Sequence, residues 1–227
     1  MLMARQTWWR WALVVVALSA VCAGCSTLGA AQQAPVNPVG TADLKPTQPD
    51  PSAGLVTVRS GFDVKKYPAL AILVFPVTDS GVMSKEEAKL TVSIPPYFQL
   101  QIVQRLRATN AFARVDLVKE GDPAPNGGGL LRLEGRITRL AAGDDTSAWV
   151  PFSGYSRLGD RMKAQIETSL VDAQTGQVLA VTADRREAPN SGFQTAESYV
   201  EESFQAMARD LVLFLERLAK GEVARSN

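Results

Sequence analysis

Residues 162–183 have the sequence MKAQIETSLVDAQTGQVLAVTA and carry the clearest secondary-structure pattern in the chain. Every second position from Met162 to Leu170 is apolar or Thr, and the positions between them are polar. This alternation is typical of a β-strand with one buried face. The residues from Asp172 to Gly176 favour a tight turn, and the run from Val178 to Ala183 predicts a returning strand. The stretch therefore predicts a β-hairpin.

Upstream of the hairpin, apolar patterns predict further strands at 55–59, 69–77, 113–118 and 131–138. The strand at 69–77 is almost wholly apolar, as expected of a strand that is covered on both faces. The strand at 131–138 alternates like the hairpin strands, so a mostly antiparallel sheet is expected.

Two amphipathic helices complete the pattern. Phe98, Ile102 and Leu106 form an apolar stripe that predicts a helix over 93–110, with two prolines in its first turn. A second helix is predicted over 195–221. The order β-β-α-β-β-β-β-α predicts an α+β fold, a two-layer sandwich of a mostly antiparallel mixed sheet with two amphipathic helices. Six apolar residues lie along one face of the second helix: Val200, Phe204, Met207, Leu211, Leu215 and Leu218.

The composition excludes several classes of function. The 227 residues contain 24 Lys and Arg against 23 Asp and Glu, which argues against a basic nucleic-acid-binding protein. The chain has no His, so Ser-His-Asp, Cys-His and His-ligated zinc chemistry are excluded. No cofactor is predicted.

The first 24 residues have the parts of an export signal. Arg5 and Arg10 supply positive charge, and Trp11 to Val21 is an apolar stretch interrupted only by a Ser. This core is shorter than the roughly 20 residues that a membrane-spanning helix requires, and its length is typical of a signal peptide.

The run Val21-Cys22-Ala23-Gly24-Cys25-Ser26 resembles the lipobox of bacterial lipoproteins, although Cys22 stands where that family usually has Leu. The resemblance implies that Cys25 becomes the N-terminus and carries acyl chains such as palmitate. Ser26, rather than Asp, resembles the class that is sorted to the outer membrane of Gram-negative bacteria. Two alternatives remain: an ordinary secretory signal followed by an incidental Cys, and a retained membrane anchor.

Residues 26–54 contain five prolines and no hydrophobic period, so an unpaired tether is expected there. The chain is accordingly divided into a removed signal peptide (1–24), the lipidated Cys and Pro-rich tether (25–54), a periplasmic α+β domain (55–221) and a short tail (222–227). The mature domain would have no thiol, because Cys22 leaves with the signal peptide and Cys25 is lipidated.

An aromatic segment between two predicted strands is the candidate contact surface. Trp149, Phe152 and Tyr155 lie within eight residues, 148–155, and Trp149 is the only Trp that remains after signal cleavage. Trp and Tyr are favoured at protein interfaces. The alternative is that this segment folds over an open end of the core.

The sequence contains only weak signals for a metal site, a hydrolase or a basic binding surface. Oxygen-bearing residues at 143–147 are typical of a turn and lack the spacing of an EF-hand, so no metal is predicted. A hydrolase without His would need either a Ser activated by a Lys or two carboxylates across a cleft. The candidate carboxylates are Glu134, Glu167 and Asp172, but the alternation places them mostly on solvent faces. Arg132, Arg136 and Lys163 could form a basic stripe on the outer face of the sheet, although pairing with Glu134 and Glu167 is the favoured interpretation.

Four segments resemble uncharacterised bacterial envelope lipoproteins: residues 97–115, 133–138 and 171–179, and the closing helix. That family is assigned the fold of the curli-secretion lipoprotein and of the N-terminal domain of the translocation protein TolB. The resemblance spans residues 69–218 and supplies no catalytic residues. It implies a non-enzymatic periplasmic module that binds another envelope protein or self-associates. A lipid-anchored hydrolase and a structural lipoprotein that binds the cell wall are the alternatives.

Overall fold

A computed structural model describes residues 32–36, 38, 40–41, 43–78, 85–141, 161–189 and 196–223. Within these residues the chain forms eight strands, two α-helices and one 3-10 turn, at Val64–Lys66. The helices are α1 (Lys85–Thr109) and α2 (Ala196–Lys220). The strands are β1 (Gln32–Gln33), β2 (Gln48–Asp50), β3 (Gly54–Val58), β4 (Ala69–Ile72), β5 (Arg114–Leu117), β6 (Leu130–Ala141), β7 (Arg161–Asp172) and β8 (Val178–Pro189).

The strands form one mixed sheet in the order β2-β3-β8-β7-β6-β4-β5, and β1 also pairs with β8. The pairs from β2 to β6 are antiparallel, whereas β4 is parallel to both β6 and β5. The long strands β6, β7 and β8 form the centre, and the predicted turn joins β7 to β8, where Gly176 has a φ of 73°. The predicted α+β fold is confirmed.

Both helices pack against each other and cover one face of the sheet. The core between them contains the stripe predicted for α1 and the six apolar residues predicted for α2, all of which are buried. Three aromatic rings join the layers: Phe98 of α1 lies 5.3 Å from Phe75 and 5.3 Å from Phe204 of α2, both centroid to centroid. Neither helix in the described part of the chain is long and apolar enough to cross a bilayer.

Two predicted boundaries differ from the structure. Helix α1 begins at Lys85, eight positions before Ser93, so Pro95 and Pro96 lie inside it. The prolines deprive the carbonyls of Thr91 and Val92 of amide donors, but these residues are partly or fully exposed, so water can satisfy the carbonyls.

The strand predicted over 69–77 is shorter than expected, because β4 ends at Ile72. The chain pairs again beyond Pro76, where Val77 forms a parallel bridge with Ile137. Since Pro76 has no amide hydrogen, a continuous ladder cannot pass through it. The part that does pair is buried throughout, as predicted for a strand covered on both faces.

The expectation of an unpaired tether over residues 26–54 is wrong at two places. Gln32 and Gln33 pair with Glu187 and Arg186 of β8, and Gln48–Asp50 pairs with β3. Proline is tolerated at an edge strand, where one side of the backbone needs no partner. The segment is therefore part of the sheet at these positions.

A carboxylate fastens this segment to the C-terminal helix. Asp50 is 8 % exposed and accepts hydrogen bonds from the Arg217 Nη2 at 2.6 and 2.7 Å. Its Oδ1 also accepts from the backbone amides of Ser52 and Ala53, at 2.9 and 3.0 Å. This cluster joins residues 167 positions apart in the chain.

Candidate functional site

A cluster of buried charges lies between β8 and α2, and it contains Asp184, the most buried charged residue of the described part of the chain. Arg186 donates from Nε and Nη2 to Oδ2 of Asp184, at 3.0 and 2.6 Å. The same Nη2 donates to Oδ2 of Asp210 on α2, at 2.9 Å. Asp210 also accepts from Nε of its neighbour Arg209, at 2.9 Å. One arginine thus holds two carboxylates in the interior.

The pKa of Asp184 is shifted away from its ordinary value. Burial, opposed by Arg186 and reinforced by the charge of Asp210, raises the pKa of Asp184 to about 6. Its Oδ1 is buried and accepts no hydrogen bond in the described structure, so a proton can reside there. A raised pKa often marks a catalytic acid. However, Asp184 is only 3 % exposed beneath α2, so a substrate cannot reach it.

This pKa predicts a pH-dependent stability. The folded pKa of about 6 exceeds the ordinary value of 3.8, so the folded state holds a proton that the unfolded state releases. The stabilisation is present below about pH 4 and is lost as pH rises through 6. We expect the free energy of unfolding to fall by on the order of 2 kcal/mol between pH 4 and pH 7, as measured by urea unfolding.

Asp184→Asn should remove this decline, because Asn has no proton to lose. Asp116→Asn, at an exposed carboxyl whose side chain is 45 % exposed, is the matched control and should keep it. Burial raises the pKa of Asp50, but hydrogen bonds together outweigh it and lower that pKa, and hydrogen bonds also lower the pKa of Asp172, so the effects of both groups fall below pH 4. An unchanged decline in Asp184→Asn would contradict the assignment.

The outer face of the sheet carries the predicted charge pairs. Nε of Arg132 lies 2.9 Å from Oε1 of Glu134, and Arg136 Nη2 donates to Oε2 of Glu167 at 2.7 Å. Pairing within the sheet is therefore confirmed for these two arginines.

The expected solvent exposure is wrong for Glu167, whose side chain is only 7 % exposed. The N-terminal segment crosses this face, and Arg136 Nη2 also donates to the carbonyl of Gly40, at 3.1 Å. A cavity of about 190 Å³ remains between Gly40, Thr41 and Pro46 and the strands. The Glu167 carboxylate, one of the candidates for a hydrolase, therefore forms an ion pair with Arg136.

An open groove lies where β4 and β5 end beside the first half of α1. Its volume is about 560 Å³, and Val74, Val77, Val92 and Val118 contribute apolar walls. Val92 is 76 % exposed. Since β5 is an edge strand, this side of the molecule combines an apolar groove with unpaired backbone groups.

Gln99 is a buried polar residue of α1, although it lies outside the apolar stripe that the sequence predicts for this helix. It is 3 % exposed, and its Nε2 donates to the carbonyls of Ile72 and Val118, both at 2.7 Å. These carbonyls terminate β4 and β5, so Gln99 positions one wall of the groove. In the sequence, only its position next to Phe98 indicated that Gln99 could be buried, and a glutamine beside an apolar stripe is usually solvated.

The predicted lipidation and contact residues, Cys25, Trp149, Phe152 and Tyr155, lie outside the described residues, as does the segment 143–147. The structure does describe the flanking strand ends, since β6 ends at Ala141 and β7 begins at Arg161. Within the described residues, there is no cluster of three or more metal-ligating side chains.

No protein-family model matches the chain, and no curated protein matches it. Among solved structures, the chain is similar to protein XCC0632 from Xanthomonas campestris, of family DUF330, with 11 % identity and a TM-score of 0.45 over 73 % of this chain and 93 % of that one. It is also similar to the PelC dodecamer from Paraburkholderia phytofirmans, with 12 % identity and a TM-score of 0.42 over 69 % and 94 %. At these TM-scores, the likeness supports no inference about activity or partners.

Proposed function

We propose that this chain is a lipoprotein of the outer membrane whose periplasmic α+β domain is a non-enzymatic interaction module. The observation that carries the proposal is the lipobox-like run ending in Cys25, at the end of a charged start and an apolar core. The lipid holds the domain at the membrane, and the domain contacts an envelope protein or a second copy of itself.

The charges of the described residues support a binding role over hydrolysis. The carboxylates on the outer face are engaged with arginines, and Asp184, whose pKa is raised, is enclosed beneath α2. General acid–base catalysis requires a titratable group within hydrogen-bond reach of a substrate. Asp184 does not meet that requirement, and Glu134 and Glu167 are held in ion pairs with arginines.

Trp149, Phe152 and Tyr155 are the proposed contact residues. They belong to the connection between β6 and β7, which leaves and re-enters the sheet at Ala141 and Arg161. Aromatic side chains contribute large contact areas at interfaces and lose little entropy on binding. A photoreactive residue in place of Phe152 should yield either a single adduct with another protein or a series of self-adducts in intact cells. The same residue in place of buried Leu131 is the control, and equal yields would contradict the contact.

Cys25→Ser is expected to abolish attachment to the membrane, because no acyl chain can then be added. The cleaved protein should move from the membrane pellet to the soluble periplasmic fraction. Cys22→Leu is the matched control, since it restores the residue usual at that lipobox position and should leave attachment intact. A Cys25→Ser protein that is cleaved and still sediments with membranes would contradict the lipid anchor.

A further inference from the structure

We propose that Asn126 is a site of spontaneous covalent modification, at which the side-chain amide is converted to a carboxylate without an enzyme. The site lies in the loop between β5 and β6. The inference goes beyond the proposed function and is independent of it, because it uses neither the lipid nor the aromatic contact residues.

The sequence around Asn126 allows the first step of this reaction. That step is an attack by the backbone nitrogen of the following residue on the side-chain carbonyl carbon of the asparagine, and the two atoms must first approach to about 3–3.5 Å. Asn126 is followed by three glycines, Gly127 to Gly129. Glycine leaves the approach open, because it has no Cβ and adopts conformations that are closed to other residues.

The structure leaves the two reacting groups accessible. Asn126 is exposed, and residues 123–127 belong to no helix, strand or turn. Within the part of the chain that the structure describes, no hydrogen bond holds the Asn126 side chain or the Gly127 amide. A Cβ added at Gly127 would meet no atom within 4 Å, so this part of the loop is not packed against the domain. The chain can therefore rotate into the reactive conformation.

The reaction needs only water as a co-reactant. The Gly127 nitrogen forms a bond to Cγ of Asn126 while the bond from Cγ to Nδ2 breaks. The proton of the Gly127 amide leaves with the NH2 group as ammonia, and a cyclic imide, a succinimide, remains. Water then opens the imide at one of its carbonyls, which yields aspartate or isoaspartate at position 126. No electrons are transferred to or from the protein.

Asn110 provides a comparison within the same chain. It is also exposed, and it ends α1 with a φ of 56°. The next residue is Ala111, whose Cβ hinders the attack. The amide of Ala111 also donates a hydrogen bond to Oγ1 of Thr109, at 3.2 Å. The two asparagines are therefore matched in exposure and differ in the nitrogen that must attack.

The conversion should change the charge of the loop and leave the fold intact. Each modified chain gains one negative charge, so ion-exchange chromatography should separate a new acidic form. The ends of the loop are held by bonds that do not involve the reacting residues: Asp122 N to Lys119 O at 3.1 Å, and Ala69 N to Gly129 O at 3.4 Å. The urea midpoint should therefore be the same for both forms, as expected of a change at an exposed site.

The test incubates the purified full chain in neutral buffer made with heavy-oxygen water, so that only hydrolysis during the incubation labels the product. Trypsin then releases the two asparagines on separate peptides, residues 120–132 and 108–114. We expect labelled aspartate and isoaspartate to form at position 126 at least about ten-fold faster than at 110, the ratio that a barrier difference of about 1.4 kcal/mol produces. Equal rates at the two positions, or aspartate without isoaspartate at 126, would overturn the proposal.

Two glycine variants test which nitrogen attacks. Gly127→Ala should slow the conversion of Asn126 by about ten-fold, because the added methyl group raises the barrier. Gly128→Ala is the matched control, since it adds the same methyl group one residue further on, at an ordinary contact distance of 3.4 Å from Oε1 of Gln174. Its rate should stay close to that of the wild type, and the urea midpoints of both variants should match the wild type. Equal slowing in the two variants would contradict an attack by the Gly127 nitrogen.

Discussion

Arg186→Met is expected to lower the free energy of unfolding by about 3–5 kcal/mol, because it leaves two carboxylates facing each other in the interior. The side chains of Arg186 and Asp184 are 8 % and 4 % exposed, and Asp210 is 13 % exposed. Met approximates the volume of the arginine stem, so the effect reports the lost charge and hydrogen bonds more than a cavity. Urea unfolding at pH 7, where Asp184 is ionised in wild type, is the appropriate measurement.

The matched control for this prediction is Arg114→Met. Arg114 also pairs with a carboxylate two residues away, with its Nε at 2.8 Å from Oδ2 of Asp116, but its side chain is 65 % exposed. Exposed pairs contribute about 0–1 kcal/mol. If both variants lost the same small amount, the buried cluster would not be an important determinant of stability. A partial recovery of Arg186→Met at pH 4 is also expected, because protonation of Asp184 removes the repulsion.

Phe98→Ala is expected to cost about 3–5 kcal/mol, the range observed when large aromatic side chains are removed from a protein core. Phe98 is 0 % exposed, and its edge-to-face contacts with Phe75 and Phe204 join α1 to the sheet and to α2. Its removal therefore leaves a cavity where three elements meet, and the surrounding backbone cannot easily collapse into it. The loss should appear as a lower urea midpoint.

Two further variants calibrate this result. Phe98→Leu keeps part of the buried volume and should cost less than Phe98→Ala. Leu100→Ala lies on the same helix at a position that is 41 % exposed, and should cost less than about 1 kcal/mol. A Phe98→Ala protein as stable as Leu100→Ala would show that the aromatic contacts do not hold the layers together.

The local periodicities of the chain predicted its elements because they depend on neighbours only two to four positions away. The alternation from Met162 to Leu170 predicted a long antiparallel strand, and the spacing of Phe98, Ile102 and Leu106 predicted the buried stripe of α1. The stops at Asn110 and Gly221 were also confirmed, since both have the positive φ that ends helices. The start of α1 was missed because prolines at 95 and 96 favoured a first turn there.

The sequence by itself determined the α+β class, the central hairpin and both amphipathic helices, and it predicts an export signal with a candidate lipidation site at Cys25. Only the tertiary structure decided that the proline-rich segment pairs with the sheet, that Glu167 is covered and that Asp184 is enclosed with Arg186 and Asp210. The physical reason is the range of the interactions. Periodicity is a property of adjacent turns and strands, whereas the bond between Asp50 and Arg217 joins groups 167 residues apart and exists only once the sheet and α2 have met.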